Sequence, residues 1–152
     1  MFGKLSPLLR IQGGLDLPAV VEVRIYLEGS IAQIAALRRG PENLQKLEAY
    51  LEAMRANLED RSEYARHDMA FHQEMARCTG NPIFHVLIAT IGDLIYELQY
   101  MYRDSVESRR RAIDEHQAIL DAIRQGQPDQ ARSAMLQHLE NATGRAEDPP
   151  HP

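Results

Sequence analysis

Residues 60–78 read DRSEYARHDMAFHQEMARC. Tyr64, Asp68, Phe71, His72 and Met75 recur at steps of three and four, which places them on one face of an α-helix. That face is apolar except for Asp68 and His72, which sit one turn apart and point inward with the rest. A buried helix face that carries an acid and an imidazole is the feature from which both fold and function can be read.

The pattern continues outward in both directions. Thr79-Gly80-Asn81-Pro82 breaks the chain after Cys78, because Gly and Asn favour turns and Pro opens a new helix. The helix that follows carries Phe84, Leu87, Ile91, Leu94 and Leu98 on one face. Upstream, a helix beginning at Pro41 repeats Leu44, Leu47, Leu51, Met54 and Leu58, a narrow seam suited to packing on a neighbour. The first helix is expected from about Leu17 to Arg39, with Asp16 as its cap, Pro18 in its first turn and Gly40 ending it. Its stripe is Val20, Leu27, Ile31 and Ile34. A fifth helix carries Ile113, Ile119, Leu120 and Ile123 and stops at Gly126. A sixth starts near Pro128 and carries Ala131, Ala134, Met135 and Leu139. No stretch shows the period-two alternation of a strand. The expected architecture is therefore all-α, an antiparallel helical bundle of about six helices with short connections. One domain is expected over residues 16–143, after a lead-in at 1–15 and before a disordered Pro-rich tail at 144–152.

Bulk properties narrow the function classes. A chain of 152 residues suits one core. The net charge of −5 argues against a phosphate-gripping face. The dense basic clusters, Arg38-Arg39 and Arg109-Arg110-Arg111, fall near helix ends, where cations favour the dipole or are solvated. No apolar run approaches the roughly eighteen residues needed to cross a bilayer, and the opening MFGKLSPLLRIQGG is too weakly apolar for a secretory signal. A single cysteine, Cys78, precludes an internal disulfide and fits a cytoplasmic location. With no activating neighbour, Cys78 is expected to be an inert core thiol.

Two further helices send polar groups to the core. His116 shares a face with Ile113, Leu120 and Ile123, and His138 with Ala131, Met135 and Ala142. Burying an unpaired carboxylate costs several kcal/mol, and an unsatisfied imidazole about 1–3 kcal/mol. One divalent cation between Asp68, His72, His116 and His138 would compensate all four, and imidazole plus carboxylate suits Zn, Ni, Mn or Fe better than Ca or Mg. The alternative is three core histidines bonded to backbone or carboxylate groups, with Asp68 paired to His72 or to an arginine. His67 and His85 fall off the stripes or beside the turn and are read as solvated. Arg24 lies on the first helix's stripe. It can clamp a carboxylate, or pair with Glu28 one turn on. Tyr96, Tyr100 and Tyr102 are read as packing residues with polar tips.

Taken together, the run VEVRIYLEGSIAQIAALRR, then DMAFH with RCTGNPIF, then DEHQAILDAIRQGQPDQARSAMLQHL resembles the FCD domain, the C-terminal effector-binding domain of FadR-type GntR transcription regulators. The resemblance spans roughly residues 15–142. It implies that Asp68, His72, His116 and His138 hold one divalent metal ion, zinc first and nickel or manganese next. It further implies that Arg24 contacts a small organic acid, that Asn81 is a helix breaker, and that the domain forms a homodimer. Regulators of this family also carry an N-terminal winged helix-turn-helix that reads DNA. Residues 1–15 are too few to supply it, so DNA contact is expected only through a part absent from this chain. The resemblance points to ligand sensing and not to an enzyme. The rival, a metal-dependent enzyme acting on a small carboxylate, lacks both the Glu-x-x-His pairs of helical di-metal enzymes and the His-Glu-x-x-His pattern of proteases.

Overall fold

A computed structural model describes residues 17–98 and 104–147. Six α-helices account for nearly all of them: α1 (Leu17–Arg38), α2 (Pro41–Ala56), α3 (Arg61–Cys78), α4 (Pro82–Leu98), α5 (Val106–Gln125) and α6 (Pro128–Glu147). There is no strand among the described residues, and none of their helices is long and apolar enough to cross a membrane. Asp16, Tyr100, Tyr102 and the 1–15 lead-in lie outside the described residues. Helix α6 runs to Glu147, into the segment expected as tail, and residues 148–152 again lie outside.

Local chemistry sets the helix boundaries. The Asp60 carboxylate accepts from the Glu63 N–H at 3.0 Å and caps α3. Ser105 and Ser108 cap α5 reciprocally, each hydroxyl accepting from the other's backbone N–H at 3.0 Å. Between α3 and α4, the Asn81 side chain accepts from the Ile83 N–H at 3.0 Å, so the helix-breaking Asn is also the cap of α4. Helix α5 ends at Gly126, whose φ of 67° is the left-handed conformation that favours glycine.

The core unites all six helices. Phe71 and Met75 of α3, Leu47, Leu51 and Met54 of α2, Ile119, Leu120 and Ile123 of α5, and Met135 and Leu139 of α6 are almost fully buried. Helix α1 packs most extensively on α6, α2 on α3, and α5 on α6. Small residues permit the α1–α6 approach: Ala32, Ala35 and Ala36 are fully buried, and a Cβ on Gly29 would stand 3.0 Å from Leu136. The face of α1 toward the core therefore contains Arg24, Glu28, Ile31 and Ala35, and the expected Leu27 and Ile34 lie at its margin, half-buried.

Several expectations are corrected. On α4 the buried large apolar side chain, among the described residues, is Ile88, whereas Leu87 is exposed. Apolar side chains surround this helix, so its periodicity does not single out one face. Arg109 is buried and not solvated. It bonds Asp104 at 3.1 Å and the carbonyl of Leu58, and lies over the Tyr64 ring. It also stands in the first turn of α5, where the dipole opposes a cation, so these bonds hold it and not the helix end. Arg39, in contrast, donates to the Arg124 carbonyl in the last turn of α5. His67 and His85 are half-buried, each with one enclosed ring nitrogen lacking a hydrogen bond. Helix α3 packs against α1, α2 and α4, which covers positions beyond its main stripe.

Cys78 is buried against this core. Burial first, and then the nearby Glu74 charge, pushes its thiol up to about 12. The folded protein should leave a disulfide-exchange reagent such as DTNB unreacted at pH 8 and consume one equivalent in denaturant. Stoichiometric reaction of the folded form within seconds would contradict this.

Candidate metal centre

The four residues singled out from three helices meet at one place. Asp68 and His72 come from α3, His116 from α5 and His138 from α6, and one donor atom from each lies within 4.8 Å of the other three. His116 Nε2 stands 2.8 Å from Asp68 Oδ1 and 3.3 Å from His72 Nε2, and His72 Nε2 is 3.6 Å from the same Asp68 oxygen. The His72 and His138 rings stack with centroids 5.5 Å apart, and the His116 ring stands edge-on to both. Phe71 closes the inner side, with its ring centroid 4.9 Å from that of His116.

Each imidazole is held from behind through Nδ1. His116 Nδ1 donates to the Ala112 carbonyl at 2.6 Å, one turn earlier on α5. His138 Nδ1 donates to Glu115 Oε2 at 2.8 Å. His72 Nδ1 bonds the Glu28 carboxylate, whose other oxygen receives the Arg24 Nε–H at 2.5 Å. Carbonyl and carboxylate oxygens only accept, so each Nδ1 carries the proton. In the neutral rings Nε2 then carries the lone pair; those of His72 and His116 lie beside Asp68 Oδ1, and His138 brings a ring nitrogen to the same cluster.

Such a set fits a divalent transition metal. Three imidazole nitrogens and a carboxylate suit zinc, nickel or manganese, and bond lengths of about 2.0–2.2 Å place neighbouring donors about 3 Å apart. The outer hydrogen bonds to carboxylate and carbonyl are those that orient metal-bound histidines.

The same proximity perturbs the groups as acids and bases. Burial would raise Asp68, but the His116 and His72 bonds outweigh it and hold its carboxyl well below the usual range. Burial would lower His72, but Glu28 and Asp68 on either side lift it to about 9. His138 falls to about 3, through burial and then the nearby His116 and His72 imidazoles. Burial would likewise raise Glu28, but Arg24 and His72 keep it well below its ordinary value.

Two residues at this centre are not marked as its members by the sequence pattern. Glu28 had appeared only as a possible partner of Arg24. Its spacing on the buried stripe of α1 carried the signal, since an acid there needs a reason. Glu115 precedes His116 and so points to another side of α5, and no sequence pattern marks it. Arg24 is buried and paired with Glu28, which leaves its terminal nitrogens for any further contact. Tyr96 lies half-exposed on α4.

Fold and site together define an all-helical domain organised around a buried three-histidine, one-carboxylate cluster. Residues 19–141 match the family model described as the FCD domain, and the chain belongs to that family, the effector-binding domain of GntR-type regulators. It is 32% identical over 120 residues to the HTH-type transcriptional repressor NanR of Cronobacter sakazakii, covering 78% of this chain and 46% of the relative. NanR of Escherichia coli K12 is 29% identical over 124 residues, covering 80% and 47%. The chain thus spans about half the length of the curated relatives it matches. Among solved structures, a Streptococcus agalactiae GntR protein aligns with a TM-score of 0.68 at 26% identity, over 82% of this chain and 56% of that one. The E. coli protein McbR/YncC aligns at 0.73 with 17% identity, over 84% and 66%, which supports the fold alone.

Proposed function

We propose that this domain is the ligand-sensing part of a GntR/FadR-type transcription regulator. In this reading it holds one divalent metal ion, zinc first and nickel or manganese next, on Asp68, His72, His116 and His138, and binds a small organic acid there. The convergence of one ring nitrogen from each histidine with an Asp68 oxygen, each ring secured through Nδ1, carries this reading. A bound ion supplies a Lewis-acid anchor for a carboxylate. The chain's own residues do the rest. Phe71 and the buried rings exclude water from the inner side, and the terminal nitrogens of Arg24 offer a second contact to the acid. Ligand binding would then bias the arrangement of α1, α3, α5 and α6, whose side chains meet at the site.

The relatives' names support transcriptional repression as the setting. Contact with DNA would belong to a winged helix-turn-helix, and the acidic character of this domain agrees with that division. A second copy of the chain is the proposed partner. Val23 and Tyr26 of α1 and Ile83, Val86 and Leu87 of α4 leave an exposed apolar face for it. A cytoplasmic setting is part of the same reading. The metalloenzyme alternative receives no support from relatives named as repressors, and both Glu28 and Glu115 are occupied in holding histidines and are not poised as general bases.

A melting screen of small hydroxy, keto and sugar acids tests the proposal. In zinc-loaded protein a true ligand at about 100 times its Kd should contribute about 2.7 kcal/mol, a rise of roughly 5–10 °C for a domain of this size. After chelation the same acid should give little or no shift. Equal shifts with and without metal, or none across the library, would overturn the proposed ligand class.

A further inference from the structure

We propose that Glu28 is a positioning residue for this centre: clamped by Arg24, its carboxylate fixes His72 with the proton on Nδ1 and the lone pair of Nε2 turned into the cluster. The inference rests on the metal-centre reading above and concerns which residue makes His72 competent as a ligand. Glu28 belongs to α1, a helix that provides no ligand, and is only 1% exposed. One of its oxygens receives the Arg24 Nε–H at 2.5 Å and the other bonds His72 Nδ1. A guanidinium nitrogen can only donate, and a carboxylate can only accept. Together they leave His72 no choice about which nitrogen faces Glu28 with a proton.

The other two histidines are held by different partners. Glu115 stands between His138 Nδ1 and Asn141 Nδ2, both at 2.8 Å. The Asn141 amide can turn over, since its own partner is the exposed Gln137. His116 is held by a backbone carbonyl. At His72 a guanidinium, which can only donate, stands behind the carboxylate.

This arrangement gives an isosteric change an inverted effect. In Glu28→Gln the Arg24 Nε–H claims the amide oxygen, so the amide NH2 faces His72 Nδ1. That nitrogen can accept only when bare, and the proton moves to Nε2, where it occupies the lone pair that the cluster needs. Removing the guanidinium as well, in Arg24→Gln/Glu28→Gln, frees the new amide to turn its oxygen back toward His72.

The test combines zinc affinity, measured by competition with a chromophoric chelator, with ¹⁵N NMR of the imidazoles in metal-free protein at about pH 10, where the His72 ring is neutral and its two nitrogens can be told apart. The wild type should show a protonated Nδ1 on His72. Glu28→Gln should show a bare Nδ1 there, an unchanged His116, and zinc affinity reduced 10- to 100-fold. The double variant should regain a protonated Nδ1 and most of the affinity, a rescue that lost packing alone would not produce. The double variant leaves no buried charge unpaired, so it also decides the matter if Glu28→Gln alone does not fold. A protonated His72 Nδ1 in Glu28→Gln, zinc affinity unchanged by that substitution, or a double variant with a bare Nδ1 and weak zinc binding would each overturn the proposal. If the wild type itself binds no zinc, the metal-centre reading fails, and the imidazole spectra still decide whether Glu28 sets the proton on His72.

Discussion

His116→Ala will purify without stoichiometric metal, and His138→Ala will do the same. His116 is the hub of the cluster, since its Nε2 approaches both His72 Nε2 and Asp68 Oδ1. Apparent zinc binding energies of about 10–16 kcal/mol, shared over four ligands, assign roughly 3 kcal/mol to each, so losing one weakens binding by 100-fold or more. Removing the ring also opens space beside Phe71, and a control must separate the two effects. His116→Phe retains an aromatic ring against Phe71 and offers no lone pair, so it should fold and still lack metal. Metal analysis of the purified variants reads the result directly. Full metal content in both alanine variants would remove Asp68, His72, His116 and His138 as the site. The loss should also appear as stability. At metal concentrations about 1,000 times Kd the wild type gains about 4 kcal/mol on loading, and neither alanine variant should.

Much of this centre was legible because helical periodicity is a strong signal. Asp68 and His72 share a face with Phe71 and Met75, and those two are fully buried in the fold. His116 and His138 likewise lie on stripes whose apolar members form the core. Periodicity shows which way a side chain points from its own helix, but not what stands opposite. That three helices turn their polar groups to one point is a tertiary fact, and the spacing alone left it open. The outer layer was less legible for the same reason. Glu115 adjoins His116 in sequence yet serves His138 on another helix. Glu28 serves a histidine 44 positions away. Arg109 resembled a surface charge because its partners, Asp104, the Leu58 carbonyl and the Tyr64 ring, come together only in the fold. On helix α4 the periodicity fails for a different reason. Ile83, Phe84, Val86, Leu87 and Ile88 surround it, so only packing distinguishes buried Ile88 from exposed Leu87.

Phe71→Ala is expected to destabilise the domain by about 3–5 kcal/mol, as removal of a fully buried aromatic ring usually does. For a domain of this size that lowers Tm by roughly 6–20 °C. Against a total stability of about 5–15 kcal/mol, a loss of that size leaves the variant folded unless the domain stands near the lower end of the range. Its effect should reach the metal centre, although Phe71 has no donor atom. The ring lies edge-on to His116 at 4.9 Å and to His72 at 6.1 Å, so it limits how far either imidazole can tilt. Metal affinity should therefore fall in Phe71→Ala even where the protein is folded, while Phe71→Leu, which refills most of the space, should lose less of both. Urea unfolding with and without zinc separates the two effects. If Phe71→Ala unfolds at the wild-type urea concentration, Phe71 is not the core residue it is taken to be. If stability falls and zinc affinity does not, the imidazoles are held by their Nδ1 partners alone. The expected joint loss follows from position: the ring that fills the centre of the bundle is also the inner wall of the site, so a change in one is felt in the other.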